Sequence, residues 1–192
     1  MIKLNNIYYF LRHGEAFSNI EPRWISSWPE IKISHLTPAG RKRIRKISKD
    51  LKKIGLNLIF SSDLARTRET AEIIAQILKK QIHFTKKLRE LDFGIFNGLH
   101  PDVYWVYFQN PLERFTKKIP HGETLEQCSR RMFNFFLKIN RQYRNKKILI
   151  ISHADPLWLL ESRIKQLNKR SMIAFYSFRL KPGELRRFKQ AA

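Results

Sequence analysis

With 192 residues, 43% of them hydrophobic, the chain can bury a substantial core, which excludes a disordered chain and fits one domain over residues 1–192. No apolar run approaches the roughly 20 residues that cross a bilayer, and the single cysteine, Cys128, excludes an internal disulfide framework; a soluble, cytoplasmic protein is expected. The net charge of +22 raises the question of an anionic partner.

From the amino terminus, the apolar run Ile7-Tyr8-Tyr9-Phe10-Leu11 reads as a buried strand that stops at Arg12-His13, where Gly14 marks a tight turn. After a loop through Trp24 and Trp28, a helix is predicted from about Pro38 to Ile54, with Thr37 as N-cap, Pro38 in its first turn and Gly55 as its stop. Arg41-Lys42-Arg43 and Arg45-Lys46 look like a nucleic-acid patch. Yet Ile44, Ile47, Leu51 and Ile54 recur at helical spacing through the same segment, which makes the charges a solvated outer face. The remaining charges are scattered from Lys79 to Lys189 without one dominating tract. A small anionic substrate is therefore the expected partner, and nucleic acid and membrane are not.

Asn57 to Phe60 reads as a short buried strand. Leu64 to Lys80 reads as a helix turning Ile73, Ile74, Ile77 and Leu78 to the sheet, and Ile82 to Thr85 as another strand. The segment at about 91–120 has no clear period and many aromatics, among them Phe96, Tyr104, Trp105, Tyr107 and Phe108. It is expected to form an insertion, or lid, over the strand ends. Thr124 and Gln127 make a capping-box pattern for a helix to about Tyr143, with Leu125, Cys128, Met132, Phe135 and Ile139 inward. A strand Lys147 to Ile151 leads into Ser152-His153 and a helix from about Pro156 to Leu167. Ile173 to Leu180 and Leu185 to Lys189 look like two strands joined at Pro182-Gly183, completing the sheet antiparallel. This alternation predicts a three-layer α/β/α sandwich with a mostly parallel central sheet.

His13 and His153 would both stand at carboxyl ends of strands, the edge at which open α/β sheets bind ligands, so they suggest one shared site. A phosphoryl group in transfer spreads negative charge over three equatorial oxygens and needs fixed cations and donors around one in-line nucleophile. Arg12, Arg66 and His153 can supply them. Arg66 falls in the first turn of its helix, where free backbone N–H groups also favour an anion, and Asn19 could add a neutral donor. His13, as neutral imidazole, is the candidate nucleophile.

The string Arg12-His13-Gly14-Glu15-Ala16-Phe17-Ser18-Asn19 resembles the signature of the histidine phosphatase superfamily, which includes the phosphoglycerate mutases. Further blocks follow in the family's order: Leu36-Thr37-Pro38-Ala39-Gly40; Ser61-Ser62-Asp63-Leu64-Ala65-Arg66; Leu88-Arg89-Glu90 with Phe93-Gly94; Pro120-His121-Gly122-Glu123-Thr124; and Ile151-Ser152-His153-Ala154. The resemblance implies a phosphoglycerate mutase-like fold and a catalytic set of His13, Glu90, Arg12, Arg66 and His153. It also implies phosphate binding by Arg12, Asn19, Arg66, His153 and Ala154, with a backbone carbonyl fixing the tautomer of His13. Glu90 matches the family's acid position, with Asp92 as the fallback. Neither a metal nor a cofactor is implied. Ala16, where the family commonly has Thr or Ser, and Phe96-Asn97, where it often has Trp-Glu, depart from the pattern near the leaving group.

The expected activity is that of a phosphomonoester phosphatase working through a phosphohistidine on a small phosphorylated metabolite. Leu88-Arg89-Glu90-Leu91-Asp92-Phe93-Gly94 resembles the phosphatase branch. The alternatives are a cofactor-dependent phosphoglycerate mutase-type phosphotransferase and a phosphatase of phosphohistidine proteins.

Overall fold

Alternation within two neighbouring strands builds the layers. A computed structural model describes residues 2–188. In it β1 (Ile7–Arg12) and β4 (Lys147–Ser152) lie parallel, Ile7 facing Lys147 and Arg12 facing Ser152. Tyr8, Phe10, Ile148 and Ile150 enter one core, whereas Tyr9, Leu11, Leu149 and Ile151 enter another on the opposite face. A sheet apolar on both faces must be covered on both. The first core takes α4 (Leu125–Gln142) and α5 (Ala154–Ile164); the second takes α1 (Pro38–Ile54) and α2 (Ala65–Leu78). The result is the expected three-layer sandwich.

Strand order is β3-β2-β4-β1-β5. β2 (Leu58–Ser61) pairs parallel with β4 and with β3 (Ile82–Phe84), and β5 (Leu185–Arg187) runs antiparallel to β1. The β1–β4 register matters most for function. Because Arg12 lies opposite Ser152, the next residue of each strand, His13 and His153, leaves the sheet beside the other, and the two rings stand 5.2 Å apart.

Local signals act as read from the sequence. Thr37 Oγ1 accepts from Gly40 N at 2.9 Å, Gly55 ends α1 at φ 70°, and Thr124 and Gln127 close their capping box at 3.2 and 2.7 Å. Lys42, Arg43, Arg45, Lys46 and Lys49 are exposed on α1, while Ile44 and Leu51 are fully buried. On α4 it is Phe136 that is fully buried; Phe135 is half-buried and meets Phe60 edge-on. No helix among the described residues is long and apolar enough to cross a membrane.

The expected strand Ile173 to Leu180 is corrected: the chain there forms α6 (Lys169–Phe175) and a 3-10 turn, Tyr176–Phe178. Asn168 caps α6 by accepting from Ser171 N at 2.9 Å, and Trp158 Nε1 donates to Met172 O at 3.0 Å. Cap and tertiary anchor override the β preference of Ile173, Phe175 and Tyr176. The last residue of the other expected strand, Lys189, lies outside the described residues. Between β3 and α4, α3 (Pro101–Trp105) and 3-10 turns at Gly94–Phe96 and Pro111–Phe115 gather Phe93, Phe96 and Phe108 around Tyr104.

Close backbone approach joins the first loop to α1. A Cβ on Gly40 would stand 2.1 Å from the carbonyl oxygen of Glu15, a rigid neighbour. Gly40→Ala is therefore expected to lower stability by about 1–3 kcal/mol through overpacking, read as a fall in the denaturant midpoint; an unchanged midpoint would contradict the packing.

Candidate active site

His13 is buried at the end of β1. Its Nδ1 lies 2.7 Å from the carbonyl oxygen of Gly14. That oxygen can only accept, so Nδ1 carries the hydrogen and Nε2 keeps its lone pair. Arg66 Nε donates to that lone pair at 3.1 Å. Burial first, then Arg66 and Arg12, holds the His13 pKa well below the ordinary 6.5, so the ring is neutral at neutral pH.

Arg66 is the second residue of α2. Its Nη1 and Nη2 donate to Ser26 Oγ and Ser26 O at 2.9 and 2.8 Å, and Glu30 stands 3.9 Å away. Leu64, at the N-cap, has no side-chain oxygen to offer. The Glu30 carboxylate replaces it, accepting from Ala65 N at 3.0 and 3.2 Å. Burial draws the Arg66 pKa down to about 10, which still leaves a cation. Ser26 and Glu30 escape the sequence reading because the loop through 20–36 has neither period nor motif.

Arg12 Nη1 donates to Leu180 O at 3.2 Å, while its Nε is buried without a partner among the described residues. His153 shares this property. Its Nε2 bonds Ser62 Oγ at 3.0 Å, and its Nδ1 is buried, unpartnered and 3.9 Å from Glu90 Oε2. Burial first, then Arg66 and His13, holds the His153 pKa well below 6.5. Asn19 turns its carboxamide oxygen to Ala16 N at 3.0 Å.

Glu90 follows the 3-10 turn Lys86–Leu88, which Ser152 anchors to β4 by donating to Leu88 O at 2.7 Å. Burial, and next the Asp155 carboxylate, pushes the Glu90 pKa up to about 7 against the opposing pull of Arg66. Asp92 is placed differently. Its Oδ1 accepts from Gly94 N at 3.0 Å, and it does not line the cavity.

Arg12, His13, Asn19, Arg66, Glu90 and Ala154 line one cavity of about 400 Å³, with walls from Trp24, Phe93, Tyr104, Trp105 and Tyr176. His153 lies directly behind it against His13. The segment 91–120 thus contributes to the wall over the strand ends. A shallower groove of about 550 Å³ along α4 carries none of these groups. Glu15 accepts from Thr37 Oγ1 at 2.7 Å, Glu123 pairs with Arg131, and His100 caps α3, all away from the cavity lining. Cys128 is core, its thiol pushed well up in pKa by burial.

A mostly parallel sheet whose adjacent strand ends set Arg12 and His13 at one cavity, with His153 directly behind His13 and Arg66 reaching in from α2, defines a class. The chain belongs to the histidine phosphatase superfamily (branch 1), whose profile matches residues 8–189. A protein named probable phosphoglycerate mutase GpmB from Escherichia coli (strain K12 / DH10B) is 35% identical over 162 residues, covering 81% of this chain and 73% of that protein. Among solved structures, the mycobacterial glucosyl-3-phosphoglycerate phosphatase Rv2419c superposes with a TM-score of 0.79 at 17% identity over 93% of this chain and 87% of that one. A putative alpha-ribazole-5'-P phosphatase from Escherichia coli K-12 gives 0.78 at 22%, with the same coverage. At these identities the likeness shows the fold.

Proposed function

We propose that the protein is a phosphomonoester phosphatase that forms a phosphohistidine on His13. The observation that carries this reading is the His13 ring itself: neutral, its tautomer set by Gly14 O, and its Nε2 lone pair facing a cationic cavity that also holds Glu90. Nε2 attacks phosphorus while the bond to the leaving oxygen breaks, and Glu90, protonated near neutrality, delivers its proton to that oxygen. As the Nε2 lone pair becomes the N–P bond, Arg66 Nε keeps its hydrogen and redirects its hydrogen bond from Nε2 to a phosphoryl oxygen. Arg12 Nε and His153 Nδ1, both buried and unpartnered among the described residues, gain acceptors in the same step. Glu90, now a carboxylate, then takes a proton from water as that water attacks the phosphohistidine, restoring His13 and releasing phosphate.

In this scheme Arg12 and Arg66 carry the charge neutralisation and no metal ion takes part, so turnover is expected to persist in excess chelator. The likeness to proteins named probable phosphoglycerate mutase favours a second reading, transfer between positions of a phosphoglycerate. Phosphate release from a panel of phosphomonoesters, with and without bisphosphoglycerate, separates the two: release without the primer supports hydrolysis, and isomerisation that needs it overturns hydrolysis as the main reaction.

Arg66→Lys keeps a cation but cannot serve His13 Nε2 and both Ser26 oxygens together. Turnover is expected to fall about 10²–10³-fold, the scale for losing a donor to a developing anion, with an unchanged circular-dichroism spectrum. Wild-type turnover in the folded variant would remove Arg66 from the site.

A further inference from the structure

We propose that Arg179, laid on the Tyr176 ring in the cavity wall, forms a second anion subsite that reads a carboxylate or a further phosphate on the leaving group. This deepens the phosphatase reading and rests on it. Both residues line the cavity, and the Arg179 guanidinium carbon stands 4.0 Å from the Tyr176 ring centroid. The ring is a fixed platform, held edge-on to Trp158 at 4.9 Å and to Trp105 at 6.0 Å.

The other arginines of the cavity are already engaged or already assigned. Arg114 approaches the same tyrosine at 5.3 Å, but it is buried and donates to Asp155 at 2.7 Å and to Tyr104 at 2.9 Å. Its charge is cancelled. Arg23 pairs with Glu21 at 2.6 Å, and Arg12 and Arg66 are taken by the transferring phosphoryl group. Among the described residues, Arg179 alone of these five has an aromatic ring and no acceptor as its side-chain partner.

A guanidinium stacked on a ring keeps its in-plane N–H donors free for a carboxylate or phosphate, which it can grip with two of them. The chain links this cation to the phosphate clamp, because Arg12 Nη1 donates to the carbonyl of the next residue, Leu180. The fields overlap as well: Arg179 is among the groups that pull the Arg12 pKa down. An anion at Arg179 would relieve that repulsion, whereas a cationic leaving group would add to it.

The test uses chemically matched three-carbon phosphomonoesters whose far end is a carboxylate, a second phosphate, a hydroxyl or an ammonium. On the wild type, kcat/KM is expected to rank at least one of the two anionic esters about ten- to hundredfold above the hydroxyl ester, the worth of one charge-assisted hydrogen bond, with the ammonium ester last. The two anionic arms show whether carboxylate or phosphate is read. In Arg179→Gln the ratio of the preferred anionic ester to the hydroxyl ester should collapse towards one, and Arg179→Lys should restore part of it. A wild-type ratio near one, or a ratio untouched in Arg179→Gln, overturns the subsite. If the wild type hydrolyses none of the esters, the phosphatase reading is what fails. Calorimetric binding of the same esters to His13→Ala, with and without Arg179→Gln, then decides the subsite by the same ratio.

Discussion

Rapid quench of the wild-type protein with a labelled phosphomonoester is expected to trap label that is labile in acid and stable in base, and His13→Ala is expected to trap none. Steady-state turnover of that variant should fall by about 10⁴–10⁶, the scale seen when a covalent nucleophile is removed from groups that act as a unit. The geometry makes the outcome specific to one nitrogen. Gly14 O holds the hydrogen on Nδ1, so only Nε2 can attack, and the N–P bond should map there. The acid side of the pH profile is a second check. Burial and two arginines hold the His13 pKa well below 6.5, so phosphorylation should not weaken as pH falls through 6.5, where an ordinary histidine would take up a proton. Label on another residue of His13→Ala would end the nucleophile assignment, and a wild-type rate that drops through pH 6.5 on a substrate that stays dianionic there would show that the fold does not hold His13 neutral.

How much of this was legible in the sequence depended on whether one stretch of chain carried the signal by itself. The run Ile7 to Leu11 and the run Lys147 to Ile151 are continuous and apolar because both faces of a parallel sheet are covered, so the two strands and the histidines after them stand out. The helix caps at Thr37 and Thr124 are equally local, each a side chain bonding three residues on. The parts that were missed are non-local. Ser26 and Glu30 matter only because their loop meets α2, across 40 and 35 residues. The segment 173–180 carries aromatic and β-branched residues of the kind found in strands, and only the Asn168 cap and the contact with Trp158 make it helical and bring Tyr176 and Arg179 to the cavity. Glu90 lies between. Nothing in its local pattern separates it from Asp92, and the resemblance of its block chose it; the fold then gives a physical difference, since Glu90 lines the cavity and Asp92 bonds Gly94 N outside the lining.

Glu90→Gln should divide substrates by their leaving groups. An alkyl alkoxide leaves poorly without a proton, so the first step on an alkyl phosphate is expected to slow by about 10²–10⁴, the range for losing general acid catalysis. An aryl phosphate such as p-nitrophenyl phosphate expels a weakly basic phenolate and should lose far less. The comparison belongs in the burst or single-turnover phase, because loss of water activation in the second step slows steady-state turnover on both substrates. The pH profile carries the same assignment. With a pKa raised to about 7, Glu90 is protonated below that pH, so the alkyl first step should decline as pH rises past about 7 in the wild type and lose that decline in Glu90→Gln. Stability should move the opposite way to activity. In the unfolded chain the carboxyl ionises near its ordinary 4.5 and in the fold only near 7, so the unfolded state sheds its proton first and the fold loses stability between those values. Glu90→Gln removes that loss: at pH 8 the variant should be more stable than the wild type by on the order of 1–3 kcal/mol, and at pH 4, where both forms of the wild type hold the proton, the gap should nearly close. Equal first-step losses on the alkyl and aryl esters would shift the acid role away from Glu90, and a stability gap that ignores pH would show that its carboxyl is not held near neutrality by the fold.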